Sequence, residues 1–318
     1  MNSSLEDREN IFQPLWEDGE RALSRGWRNG GDGRRIAVLI VELAAESPTP
    51  GALDRLTHEY GLKDELSIAW AARPLEMTRE QGRNLLVLED PGGEPLGRLL
   101  GQPMALESFL PLAIGVASAL GQVHQRGLIH KDIKPANLLV NFVTSQAWLM
   151  GFGIASRLPR ERQAPAPPEV IAGTLAYMAP EQTGRMNRSI DSRCDLYSLG
   201  VTLYEMLTGE LPFAASDPME WVHCHIARQP ATPDERVAGV PAPLAAIVMK
   251  LLAKNAEDRY QTAAGLTIDL RKCLAEWESR RRIDAFSLGA SDVSPRLLIP
   301  EKLYGRSPET NADRKSVV

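Results

Sequence analysis

The stretch His130-Lys131-Asp132-Ile133-Lys134-Pro135-Ala136-Asn137 packs an acid, two lysines and an amide into eight consecutive positions, and no other part of the chain is so dense in chemistry. A loop Asp can take the proton of a hydroxyl nucleophile, and a Lys two residues later can neutralise a transferring phosphoryl group. An Asn five residues after the Asp offers a carbonyl oxygen to a metal. An Asp and a Lys close together in a loop are also what a solvated turn looks like, so the flanking sequence has to decide.

The octet stands where two differently patterned halves meet. Residues 11 to 90 read as short strands with one helix: apolar runs at 36 to 41 and 85 to 88, a turn-rich Asn29-Gly30-Gly31-Asp32-Gly33, and a helical stretch near 51 to 65. After Asp90-Pro91-Gly92-Gly93 the pattern turns helical over 105 to 126. Two short strands at 137 to 140 and 147 to 150 follow the octet, then helices near 195 to 208, 217 to 228, 242 to 254 and 262 to 281. From 282 on, Gly, Ser, Pro and scattered charge replace periodicity, which reads as a linker or tail. The expected division is a tail over 1–10, a sheet lobe over 11–90, a helical lobe over 91–281 and a linker over 282–318. A chain of 318 residues with 43% hydrophobic content has the material for two such lobes.

The octet matches the protein-kinase catalytic loop pattern H-R-D-x-x-x-x-N everywhere except at Lys131, and its D-x-K spacing is similar to the Ser/Thr class. Gly173-Thr174-Leu175-Ala176-Tyr177-Met178-Ala179-Pro180-Glu181 resembles the end of a kinase activation loop. Asp195-Leu196-Tyr197-Ser198-Leu199-Gly200 resembles the start of the central helix of the large lobe. The resemblance covers roughly residues 11 to 281, and the order of its motifs makes it specific. It implies an α+β, two-lobed protein-kinase fold. It implies Asp132 as base, Lys134 as phosphate partner and Asn137 as metal ligand. The nucleotide would lie among Gly19 and Leu23 of a covering hairpin, Glu59 of the small-lobe helix, and the hinge backbone of Leu88, Glu89 and Asp90. His130, Phe152, Gly153, Thr174, Glu181, Asp195 and Arg259 would be structural anchors, with Glu181 paired to Arg259. ATP or another adenine nucleotide is the implied ligand, and a protein the implied substrate or signalling partner. More narrowly, residues 182 to 191 and 298 to 306 resemble the kinase-like front of bacterial hybrid sensor proteins, in which a P-loop ATPase module and a histidine kinase follow. Residues 282–318 would then carry the start of that module.

The pattern breaks where phosphate and metal should be held. The third strand, Ile36 to Val41, contains no Lys, and the only Lys before residue 90 is Lys63, expected to make an ordinary surface pair with Glu59 four residues back. Gly151-Phe152-Gly153 stands where the family has D-F-G, with no Asp or Glu between Asp132 and Glu161. Asn137 is left as a weak magnesium ligand on its own, so magnesium is doubtful. The hairpin Trp16 to Leu23 offers one Gly where the family has three. Ser156 and Thr174 are the only hydroxyls of their type between Gly153 and Ala179, which gives no obvious phosphosite. Two readings follow: a degenerate kinase domain working as a regulatory or docking module, preferred, and an ATP-dependent Ser/Thr kinase of low activity. On the first, ATP, ADP and adenosine should bind weakly, alike and without magnesium, and Gly151→Asp should restore some metal dependence.

Lys plus Arg number 36 against 41 Asp plus Glu, so the net charge of -5 gives no reason to expect nucleic acid as partner. The uncharged run Ser108 to Gln125 contains Pro111, Gln122 and His124 and reads as a buried helix rather than a membrane span. Three widely spaced cysteines, Cys194, Cys224 and Cys273, fit a reducing cytoplasm. His223-Cys224-His225 is read as a packed helix face rather than a zinc site. Arg185, Arg188 and Arg193 form either a solvated face or a dock for an acidic partner.

Overall fold

The computed structural model describes residues 13–29, 34–45, 48–80, 82–157, 175–186 and 188–293. Its first part is a five-stranded antiparallel sheet of β1 (Gln13–Glu17), β2 (Arg21–Asn29), β3 (Arg35–Leu43), β4 (Pro74–Glu80) and β5 (Arg83–Glu89), in the order β1-β2-β3-β5-β4. The run through 36 to 41 lacks polar alternation because the centre of β3 is buried on both faces. Leu39, Val41 and Leu43 pack inward with Leu86 and Leu88, while Val38 and Ile40 form a separate cluster with Leu85 and Val87. β1 and β4 are less apolar edge strands, which is why two strong runs were legible where five strands form.

The helix between β3 and β4, α1 (Pro50–Gly61), starts on Thr49, whose hydroxyl accepts the Ala52 N–H at 3.3 Å, with Pro50 fixing the first turn. It ends four residues earlier than expected. Its inner face buries Ala52, Leu56 and, unexpectedly, Glu59. Lys63 lies beyond its end, over the Tyr60 ring at 5.0 Å, so the surface pair expected between Lys63 and Glu59 is replaced by a cation–π contact.

The second part is built on α2 (Leu106–Gln125), whose Phe109, Leu110, Ala113, Val116, Ala117 and Leu120 enter one large core. Among the described residues α2 alone is long and apolar enough to cross a membrane, and about half of its apolar window is buried here. A small sheet, β6 (Glu94–Pro95), β7 (Leu138–Asn141) and β8 (Gln146–Leu149), lies beside it. Around the core stand α3 (Arg193–Thr208), α4 (Pro218–Ile226), α5 (Pro233–Arg236), α6 (Ala242–Leu251) and α7 (Ala263–Arg280). Asp217 caps α4 at Met219 and Glu220, and Thr262 caps α7 at Gly265.

Residues 282–293 pack more closely than a linker would, so the helical lobe runs past its expected end at 281. Ile283 joins the core, and Asp292 accepts the N–H groups of Gln261 and Thr262 at 2.5 and 3.0 Å. The stretch resembling an ATPase module, 298 to 306, lies outside the described residues. His225 sits among the rings of Tyr197, Phe213 and Trp221, with Cys224 buried beside it. Arg188 and Arg193 are turned inward to Glu257 and Asp191, at 2.6 and 2.7 Å, so two of the three arginines do not form a free basic face.

Candidate functional site

The octet is a loop between α2 and β7, held from below by α3. Asp195, fully buried in the first turn of α3, accepts the N–H groups of His130 at 2.9 Å and Lys131 at 2.7 Å, and the His124 ring N–H at 2.9 Å. Burial alone would raise its carboxyl; the bonds from His124 and the loop amides outweigh that and hold it below the usual carboxylate range. Burial also pushes the His130 imidazole down, so it stays neutral, giving Nε2–H to the Met150 carbonyl and accepting the Asp132 N–H on Nδ1. The loop is thereby fixed before any ligand arrives.

Within it Asp132 Oδ2 receives the Asn137 amide at 2.8 Å and the Lys134 ammonium at 3.2 Å, while Oδ1 is buried with no hydrogen-bond partner. That free oxygen is what a general base needs. Asn137 also gives its amide to the Asp132 carbonyl at 2.8 Å, and its own Oδ1 has no partner. Glu181 and Arg259 pair through two hydrogen bonds, 2.6 and 2.9 Å, deep in the helical lobe.

Opposite the loop, Gly151 follows β8 in the left-handed region, φ 80°. A Cβ there would meet three atoms of the Asn137 amide at 2.7 to 2.9 Å, so the glycine is required by close approach as well as by its dihedral. Its N–H donates to Glu59 Oε1 at 3.0 Å, and the Phe152 N–H also serves that carboxylate. Burial raises the Glu59 carboxyl; Arg21 and the two backbone N–H groups oppose the shift without cancelling it. The inner face of β3 offers this acid no cation, only Leu39, Val41 and Leu43. Phe152 packs on His130 at 4.5 Å, and Gly153 lies against the Arg55 backbone of α1.

The sheet lobe forms the roof. The β1–β2 turn is closed by Asp18, whose Oδ1 accepts the N–H groups of Glu20 and Arg21 at 3.1 and 2.9 Å around Gly19, φ 81°. Glu20 pairs with Arg55 of α1, drawing the hairpin tip onto the helix. Leu23 and Leu139 belong to one buried cluster, roof in contact with floor.

A model of the protein kinase domain matches residues 19–269. The chain belongs to the protein kinase family. This kinase domain is 40% identical over 168 residues to the serine/threonine-protein kinase PknB of Mycobacterium tuberculosis, which covers 53% of the chain and 26% of PknB. It is 35% identical over 247 residues to the serine/threonine-protein kinase Pkn1 of Myxococcus xanthus, covering 77% of the chain and 35% of Pkn1. The chain therefore spans about a third or less of these relatives' length.

In the kinase domain Asp132, Lys134 and Asn137 come together, with Glu59, Phe152 and Gly153 across the cleft. Leu88, Glu89 and Asp90 lie at the top of the connector between the lobes. Thr174 is outside the described residues. Two features escaped the sequence reading: Glu59 as acceptor of the Gly151 and Phe152 N–H groups, and Arg25, which reaches the connector from β2. Alternation with Leu23 on an amphipathic strand was the available signal for Arg25.

Proposed function

We propose that this domain acts as a regulatory or docking module of a bacterial signalling protein and transfers phosphate slowly or not at all. The observation that carries this reading is Gly151, left-handed and flush against the Asn137 amide, which leaves no room for a side chain where the family has its metal-binding carboxylate. Magnesium takes octahedral oxygen ligands, usually including a carboxylate. The residues present do not fit that requirement: Asn137 offers one neutral oxygen, and Glu59 already accepts backbone N–H groups. Among the described residues no three His, Cys, Asp or Glu side chains are grouped to hold a metal. The missing cation on β3 points the same way, because positioning and charge neutralisation supply most of the catalysis of phosphoryl transfer.

The free, buried Oδ1 of Asp132 beside Lys134 supports a second reading, a low-activity ATP-dependent Ser/Thr kinase. The three buried, unpaired cysteines support a cytoplasmic location, and the resemblance of 182 to 191 supports a place in a hybrid sensor. The test is autophosphorylation and transfer to a generic basic protein from labelled ATP, comparing the native domain with Asp132→Asn. Equal background signals are expected; a native signal abolished by Asp132→Asn would establish the second reading instead.

A further inference from the structure

Arg25 lies on β2 two residues past Leu23, so the pleat turns its side chain to the same inner face. Its guanidinium meets the connector through three hydrogen bonds: Nε to Asp90 Oδ2 at 2.6 Å, one terminal nitrogen to Glu94 Oε1 at 3.0 Å, and the other to the Gly93 carbonyl at 2.5 Å. The Asp90 side chain is only 3% exposed and that of Arg25 15%, so this is a sheltered guanidinium holding three separate acceptors rather than a surface ion pair.

Two of the connector's backbone N–H groups are engaged as well. The Glu89 N–H donates to the Arg73 carbonyl at 2.8 Å, Pro91 has no N–H, and the Gly92 N–H donates to Asp90 Oδ1 at 2.8 Å. Gly93, φ 79°, presses on β7 so closely that a Cβ would lie 2.6 Å from the Val140 carbonyl oxygen, which fixes the connector in place. Beneath it, Leu39 is registered against both Arg25 and Leu88. Leu23, Leu39, Leu88 and Leu139 are all 0% exposed and share one cluster. A planar base needs an open apolar slot with free polar groups along one edge. Here the slot is closed by buried leucines, and a guanidinium is held against the connector by Asp90, Glu94 and the Gly93 carbonyl.

We infer that Arg25 is a built-in occupant of the connector that, with Leu39 beneath it, excludes purine nucleosides and nucleotides and ties the sheet lobe to the helical lobe. The inference rests on the non-catalytic reading and sharpens it: the domain's own guanidinium, rather than a nucleotide, holds the connector against the sheet lobe, and the slot beside it is closed by leucines. Releasing the guanidinium frees Asp90, Glu94 and the Gly93 carbonyl, and trimming Leu39 opens the slot below.

The experiment is a magnesium-free thermal-shift titration with adenosine and with ADP on three folded proteins: native, Arg25→Ala, and Arg25→Ala/Leu39→Ala, each checked by circular dichroism. The native midpoint should not move at millimolar ligand. At least one variant should gain affinity about tenfold or more over native, the double variant most. Native stabilisation by adenosine equal to that of the variants overturns the inference while leaving the non-catalytic reading intact. Folded variants that still bind nothing also overturn it. Should neither variant fold, hydrogen exchange on the native chain decides: the Glu89 and Gly92 amides must be protected like core amides without ligand and unchanged by adenosine. Fast exchange there refutes the inference.

Discussion

Replacing Gly151 with alanine isolates the geometry on which the functional reading rests. The left-handed backbone costs a side chain about 1–2 kcal/mol. The new methyl would also collide with the Asn137 amide, 2.7 to 2.9 Å away, and that amide cannot move without giving up its two 2.8 Å bonds to Asp132. Two buried hydrogen bonds add about 2 kcal/mol, for a total of about 3–4 kcal/mol. Gly19 and Gly82 supply the control, because both have the same positive φ and nothing within 4 Å of a Cβ. Alanine at either should cost about 1–2 kcal/mol, from the dihedral alone. Urea unfolding with linear extrapolation measures all three. If Gly151→Ala is as mild as Gly19→Ala, Asn137 does not fill the space and the argument fails. The same collision means that Gly151→Asp does not simply restore a metal carboxylate, as the motif alone suggested; it first has to expel the neighbouring amide.

Other expected outcomes follow from buried charge. Arg259→Met strands the Glu181 carboxylate and should cost about 3–5 kcal/mol in the same unfolding assay, whereas the double change Arg259→Met/Glu181→Leu should recover part of it. His225 is pushed down to about 4, first by burial and then by Lys254. The depressed value means that stability is fully present above the unfolded value near 6.5 and declines as pH falls toward 4, by up to about 3 kcal/mol, and His225→Gln should flatten that part of the pH profile. Asp292→Ala removes the acceptor for Gln261, Thr262 N–H and the Thr262 hydroxyl, and should cost about 1–2 kcal/mol while raising hydrogen exchange over 282–293.

The kinase fold was legible because its anchors are local strings in a fixed order, and each string meets one structural need: Asp195 holds the octet's amides, and Glu181 holds the Arg259 guanidinium. Helices with strong periodicity, such as α2 and α7, lie within a residue or two of their expected bounds. The edge strands β1 and β4 were not legible, since their packing is one-sided and their alternation short. The site was half legible. Absence of a strand Lys and of the D-F-G acid can be read from letters, but what fills the vacated positions depends on distances across the fold. Glu59 looked like a surface partner of Lys63 until α1 turned it inward to the Gly151 N–H. Arg25, 65 residues from Asp90, is a long-range pair no spacing rule announces. Residues 282–293 have no periodicity, yet Ile283 and Asp292 are enough to dock them.

The most direct test of the account is the thermal midpoint of the native domain titrated with ATP, in the presence and absence of magnesium. With no metal carboxylate at Gly151, no cation on the inner face of β3 and the connector occupied by Arg25, the midpoint should stay within error of the ligand-free value in both series. A large stabilisation that appears only when ATP and magnesium are present together would contradict it and place the domain among the active kinases.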